Sequence, residues 1–217
     1  MSSWDERADA YRESDEHREG RDLDLLLAAC GACAGLSVLD VATGGGHVAR
    51  RLRDRGAAVV TVDASPGMNP DVVARAEELP FADASFDLVV TRIAAHHFTD
   101  VGAAVAEMAR VTRDLVLIED TLYLSDAVEE AEQLRDVTHV RNYREGEWRE
   151  FLEAAGLDVE AVDYVEKEHP FADWLARTGC EGAVADRVRE LLAGRTLVGG
   201  EAWSDVKLLL KARKPVA

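Results

Sequence analysis

The sequence is short of cysteine, of aromatic residues and of positive charge, and each shortage closes a class of explanation. Three cysteines, Cys30, Cys33 and Cys180, cannot staple 217 residues into a disulfide framework. Cys30 and Cys33 have redox or zinc spacing, but no second pair completes a zinc set. They also follow the helical pattern Asp22 to Ala29 rather than a strand, and read as small buried residues at a helix end. Lys and Arg total 25 against 42 Asp and Glu, a formal charge of −17. That balance repels a phosphate backbone, and no basic cluster interrupts it, so no nucleic-acid partner is expected. Apolar runs such as Val59 to Val62 are far too short to cross a bilayer, and Met1 to Arg7 is polar, without a signal-peptide core. A cytoplasmic protein with no membrane partner is expected. Repeats and low-complexity linkers are absent too, and the length suits a single domain over residues 1–217 with its own core.

What is present is an alternation of strand and helix periods. Ser37 to Val41 reads as a strand, His47 to Asp54 as a helix and Ala58 to Val62 as a second strand. Val72 to Ala74 is a short third strand and Phe86 to Thr91 a fourth. Val101, Val105 and Met108 share a helical face, and Leu115 to Ile118 is a fifth strand. Such alternation implies a mostly parallel sheet with helices on both faces. From Ser125 the pattern changes. Residues 127–137 and 147–155 look helical, the second closed by Gly156. Leu157 to Val165 alternates as a strand, helices follow around Trp174 and over 184–192, and Trp203 to Lys211 closes as the last strand.

The most informative stretch is Val38-Leu39-Asp40-Val41-Ala42-Thr43-Gly44-Gly45-Gly46-His47, with Asp63 ending the next strand. A strand runs into a glycine turn that opens a helix, and a carboxylate waits at the neighbouring strand tip. This combination builds a nucleoside pocket: glycine lets the backbone approach, and the acid accepts from ribose hydroxyls. Gly44 to Ala49 satisfies G-x-G-x-x-A, so a dinucleotide stays open. Three features favour S-adenosylmethionine. Asp40 lies inside the first strand, Met68 sits in a turn after Asp63 where it can lie on adenine, and Ala76 to Phe81 supplies a third loop at the same sheet edge.

On these residues the chain resembles class I S-adenosylmethionine-dependent methyltransferases, of the type related to menaquinone and ubiquinone biosynthesis enzymes (the methyltransferase type 11 subgroup). The glycine motif, Asp63, the run Ala76 to Asp87, Arg92 to Phe98, and His139 to Arg141 with Glu147-Trp148 carry the resemblance over nearly the whole chain. It implies a Rossmann-like α/β fold with a seven-stranded sheet, its last strand antiparallel, a helical cap over 1–30 and a helical lid insertion over 125–155. It implies S-adenosylmethionine as cofactor. The Gly44–Gly46 backbone would approach the methionine moiety, with Asp40 near its ammonium. Asp63 would take the ribose hydroxyls, Met68 the adenine face, and Ala76 and Glu77 would offer backbone groups to adenine. Arg92 would lie beneath the cofactor. Two of these have structural competitors: Asp40 as a cap of the glycine turn, and Arg92 as a partner of Asp63 or Glu119.

Three departures from the family stand out. Ala42 replaces a glycine, which is tolerable if its φ stays negative. Arg75 replaces an aspartate that bonds the adenine amino group. Met68 to Ala76 is too short for the usual helix between strands 2 and 3, which is expected to be reduced. Thr112 to Asp114 likewise reads as a shortened turn. These losses thin one side of the sheet, where a second copy in a homodimer is a possible cover.

Methyl transfer requires alignment, exclusion of water and, for some acceptors, a base. His96 and His97 follow the fourth strand at the edge where open α/β sheets place their chemistry. His97 and His139 are candidates for base or anchor, and His96, Tyr11, Arg141 and Tyr143 for acceptor contacts. His17 and His169 fall in polar segments and are expected to be exposed, and His47 is expected to cap or pack. No metal-ligand set is evident near Asp120, so no metal is expected. The reading is metal-independent methyl transfer to the O, C or N of a small-molecule acceptor. Alternatives are a cyclase or decarboxylase that keeps the cofactor, a non-catalytic S-adenosyl-binding protein and, last, a dinucleotide oxidoreductase.

Overall fold

In the structure, a computed structural model that describes residues 18–215, apolar alternation along the strands decides which side of the sheet each helix covers. The elements run α1 (Arg21–Ala29), β1 (Ser37–Val41), α2 (His47–Asp54), β2 (Ala58–Asp63), β3 (Val72–Val73), β4 (Phe86–Arg92), α3 (Val101–Val111) and β5 (Thr112–Thr121). They continue as α4 (Asp126–Arg135), α5 (Glu145–Ala154), β6 (Asp158–Pro170), α6 (Phe171–Ala176), α7 (Gly182–Leu191) and β7 (Ala202–Arg213). Seven strands form one sheet in the order β3-β2-β1-β4-β5-β7-β6. β1 to β5 pair in parallel, and β7 lies antiparallel between β5 and β6. The chain order reverses between β1 and β4, and a crevice opens beyond the carboxyl ends of strands at such a reversal.

With a period of two, Leu39, Val89, Val116, Ile118 and Leu210 face one side, where α3 and α5 cover them. Val38, Leu88, Val90, Leu117 and Leu209 face the other, under α1 and α2. A third apolar cluster joins α4, α6 and α7 around Trp174 and Trp203 at the end of the β6–β7 hairpin. Cys30 and Cys33 are free and buried, and burial pushes the Cys30 thiol up to about 12. Among the described residues no helix is long and apolar enough to cross a membrane.

The mostly parallel sheet with an antiparallel last strand is as the sequence implies, and so is the reduced connection between β2 and β3; the strand ends differ. Between β2 and β3 the chain makes only a 3-10 turn, Pro66–Met68, closed by Asn69 at a left-handed φ of 56°. The supposed turn at Thr112 to Asp114 is part of β5, which starts directly after α3. Charged residues hid these strand extensions, because edge salt bridges stand in for apolar alternation: Arg113 pairs with Asp87, and Arg213 with Asp114 and Glu160. The expected lid over 125–155 divides. α4 and the loop after it face the crevice, whereas α5 packs on the sheet with α3 through Trp148 and Leu152. Trp148 is 1% exposed, and its ring meets Tyr143 and Phe151 edge-on. Trp148→Ala is therefore expected to cost about 3–5 kcal/mol in chemical denaturation. Val73→Ser, on the exposed sheet edge, should change stability by less than about 0.5 kcal/mol.

Candidate active site

The strand-to-helix turn after β1 is held by two carboxylates. Asp40 is 2% exposed, and its Oδ2 accepts from Thr43 Oγ1 at 2.7 Å and from the Ala49 backbone N–H at 3.1 Å. Ala49 lies in the first turn of α2, whose N-cap Gly46 offers no side chain, so Asp40 caps the helix from the strand. Burial pushes the Asp40 carboxyl up to about 6. At the tip of β2, Asp63 accepts from the backbone N–H of Gly44 and of Ser65, both at 2.9 Å.

Gly44 and Gly46 take left-handed backbone, at φ 50° and 72°. So does Ala42, at φ 54°, so the condition of a negative φ under which an alanine is tolerable here is not met. The reason is the path of the chain: Thr43 N–H must turn to reach Val62 O at 3.0 Å, and Gly46 N–H to reach Thr43 O at 2.8 Å. An alanine there carries a Cβ penalty of about 1–2 kcal/mol that a glycine would not.

A chamber of about 430 Å³ begins at this turn. Asp40, Gly44, Asp63, Met68, Ala76 and Glu77 line it, together with Arg92, His96, His97 and His139. Gly46 is off the wall. Arg141 and Tyr143, expected at the acceptor, are also off it: Arg141 pairs with Glu147, and Tyr143 packs against Trp148 and Phe151. Tyr11 lies outside the described residues. The Glu77 carboxylate is engaged by Arg75 at 2.8 Å and by the Thr99 N–H at 2.9 Å, so a ligand would meet this loop mainly through its backbone. Arg92 donates to Glu119 at 3.0 Å and to Asp22. Burial works against ionisation of Asp22, but Arg92 and Lys167 outweigh it and hold its carboxyl at about 2. Burial pushes Glu119 up to about 7.

His96 and His97 sit in a single 3-10 turn, with ring centroids 4.1 Å apart, yet their surroundings differ. His96 Nδ1 is 2.5 Å from Asp120 Oδ1, and its backbone N–H donates to Asp120 Oδ2 at 2.8 Å. An ionised carboxylate only accepts, so the hydrogen stands on Nδ1 and Nε2 keeps a lone pair. Burial disfavours the charged ring, but Asp120 outweighs it and the His96 pKa is raised. Burial and the neighbouring His96 push His97 down to about 3, and its Nδ1 faces the Thr138 carbonyl at 2.9 Å. His139 Nε2 meets Glu129 at 2.9 Å. His169 is buried beside Asp205 at 3.0 Å, contrary to the exposure expected of it, because β6 runs on past Val165 and carries it inward. Asp205 and Lys207 were not singled out in the sequence, and Asp120 was weighed only for a metal set. Their one available signal was polarity inside otherwise apolar strand patterns.

A family profile described as a methyltransferase domain matches residues 39–118. The uncharacterized methyltransferase YcgJ of Bacillus subtilis is 30% identical over 222 residues, covering 92% of this chain and 86% of YcgJ. The uncharacterized Escherichia coli protein YafE is 37% identical over 121 residues, covering 52% of this chain and 58% of YafE, so the match spans little more than half of that relative. The structure of BH2331 from Bacillus halodurans superposes with a TM-score of 0.81 at 28% identity, over 91% of this chain and 100% of the other. The chain belongs to the class I S-adenosylmethionine-dependent methyltransferases and is an enzyme of that kind.

Two outcomes are expected from this geometry. Ala42→Gly should raise stability by about 0.5–1 kcal/mol in thermal denaturation, the relief at φ exceeding the extra freedom glycine gives the unfolded chain. In NMR titrations one histidine should titrate above 6.5, and Asp120→Asn should move it to lower pH; a second, His97, should stay neutral well below 6.5.

Proposed function

We propose that the protein is a cytoplasmic enzyme that moves the methyl group of S-adenosylmethionine to an oxygen, carbon or nitrogen atom of a small molecule, without a metal ion. The observation that carries this reading is continuity: the Asp40–Asp63 cradle opens into the same chamber as the His96–Asp120 pair. The residues fit the cofactor. Asp63 is fixed at a strand tip by the Gly44 and Ser65 N–H groups, a carboxylate placed to suit a ribose diol, and Asp40 is a buried acid suited to an ammonium. The Gly44–Gly45 backbone allows close approach, Met68 offers a soft apolar face to adenine, and the 76–77 backbone lies alongside. When bound, S-adenosylmethionine supplies a methyl group activated by its sulfonium charge.

The residues then have separable tasks. The chamber walls exclude water and hold the acceptor in line, for which orientation contributes up to about 7–11 kcal/mol. His96 Nε2 accepts the proton of an acceptor O–H or N–H, and Asp120 stabilises the charge that forms on the ring. Such a base is worth roughly 10²- to 10⁴-fold. His97, held neutral, acts as a hydrogen-bonding group, and His139 positions the lid loop through Glu129. The carboxylates nearest these histidines are already committed, Asp120 to His96, Glu129 to His139 and the Asn142 N–H, and Asp136 to Thr138, which supports chemistry without a metal.

Calorimetry with S-adenosylmethionine, S-adenosylhomocysteine and NADH tests the reading. Binding of both S-adenosyl compounds with NADH silent is expected; NADH binding alone would replace it with a dinucleotide enzyme. Asp63→Asn should weaken S-adenosylhomocysteine by about 1–3 kcal/mol with the fold intact. The pH dependence follows from Asp40. A cationic ligand favours its ionised form, so binding below about pH 6 must expel a proton. Affinity should be flat above that pH and fall by up to about tenfold per unit below it, and Asp40→Asn should abolish the dependence.

A further inference from the structure

The chamber also runs between the sheet and the lid. Part of its wall is made by Thr121, Asp205 and Lys207 from the sheet, Glu132 and Arg135 from α4, and Trp174 from α6. This wall is built of ions. Arg135 pairs with Glu132 at 3.0 Å, and Lys207 donates to Asp205 Oδ2 at 2.6 Å and to Thr121 Oγ1 at 2.8 Å. Trp174 is the one aromatic ring of these six, and its face is taken: the Arg135 guanidinium carbon stands 4.1 Å from the ring centroid.

Within these pairings one atom is left over. Asp205 is 1% exposed, yet its Oδ1 has no hydrogen-bond partner among the described residues. Although burial opposes it, Lys207 and His169 hold the Asp205 carboxyl well below the usual carboxylate range, so the orphan oxygen is that of an ionised group. A buried charged oxygen without a donor is costly, and proteins keep such atoms where something else supplies the donor.

We propose that this part of the chamber binds a small, water-soluble methyl acceptor that donates a hydrogen bond from a hydroxyl or amino group to Asp205, and that it does not take a prenylated quinone or an acyl chain. The proposal rests on the methyltransferase reading and narrows its acceptor. An apolar ring system or tail laid against the buried Lys207–Asp205 and Arg135–Glu132 pairs would return no hydrogen bond to them. A polar acceptor satisfies Oδ1 and meets the remaining donors of the wall.

The test uses the full chain, with S-adenosylhomocysteine affinity as its control. The protein is incubated with methyl-labelled S-adenosylmethionine and a bacterial metabolite extract divided into aqueous and chloroform-soluble fractions. Separately, the protein saturated with S-adenosylhomocysteine is titrated with menadione, a bare naphthoquinone. Label in a water-soluble product, a loss of about tenfold in that labelling for Asp205→Asn at unchanged S-adenosylhomocysteine affinity, and no saturable menadione binding are expected. Label in the chloroform fraction, saturable menadione binding, or no aqueous labelling by protein that binds S-adenosylhomocysteine would overturn the proposal. Because the menadione and partition readouts use the wild-type chain, a variant that failed to fold would leave both decisive. Failure to bind S-adenosylhomocysteine at all would instead remove the methyltransferase reading beneath it.

Discussion

Asp40 joins three elements that would otherwise meet only through the chain. It lies on β1, takes the hydroxyl of Thr43 in the turn and the N–H of Ala49 in α2, and so fixes where the helix starts relative to the strand. Asp63 does the same from β2 by accepting the Gly44 N–H. The turn is therefore suspended between two acids on neighbouring strands, and its backbone, left-handed at Ala42, Gly44 and Gly46, follows from that suspension. The price appears in Asp40 itself, whose carboxyl burial pushes up to about 6. A site that takes a cation recovers this cost on binding, while one that only needed a helix cap would be served by a serine or threonine in the turn.

The same economy is visible beneath and beyond the cradle. Arg92 at the tip of β4 reaches Glu119 on β5 and Asp22 on α1, and Lys167 on β6 closes on Asp22 from the far edge of the sheet. On the same chamber wall, Lys207, Asp205 and His169 form a second buried set on β6 and β7. Buried ion pairs are weak contributors to stability against well-packed apolar residues, because desolvation offsets much of their attraction. Their concentration at the sheet edge where the parallel strands end, with the apolar clusters occupying the two faces, is better understood as the polar lining of a site. Geometry there is fixed by charges that cannot shift without leaving a partner unpaired.

This division explains what the sequence could reveal. Strands β1, β2 and β4 announce themselves because they are apolar on both faces, and the glycine turn and Asp63 because their spacing is local. The ends of β5, β6 and β7 are charged, so their pattern fades just where they enter the site, Asp205 and Lys207 went unmarked, and His169 read as exposed. Asp120 was legible as a residue but not as a partner, since its contact with His96 joins the end of β5 to the turn after β4. Tyr143 and Arg141 misled for a related reason. A segment that follows the fifth strand can cover the crevice or pack on the sheet, and α5 turns its aromatic side chains to the core. Local chemistry is readable in one dimension; pairings made between strand ends are not.

The adjacent histidines carry that argument to its end. The sequence offers His97 as base or anchor and His96 as an acceptor contact. In the structure a buried carboxylate lies on one ring and a backbone carbonyl on the other, and the two pKa values move in opposite directions. A neutral amide oxygen orients an imidazole without stabilising its cation, whereas Asp120 does both. Only His96 can both take a proton and keep its place while charged, so the division of labour within the pair is set by what stands behind each ring.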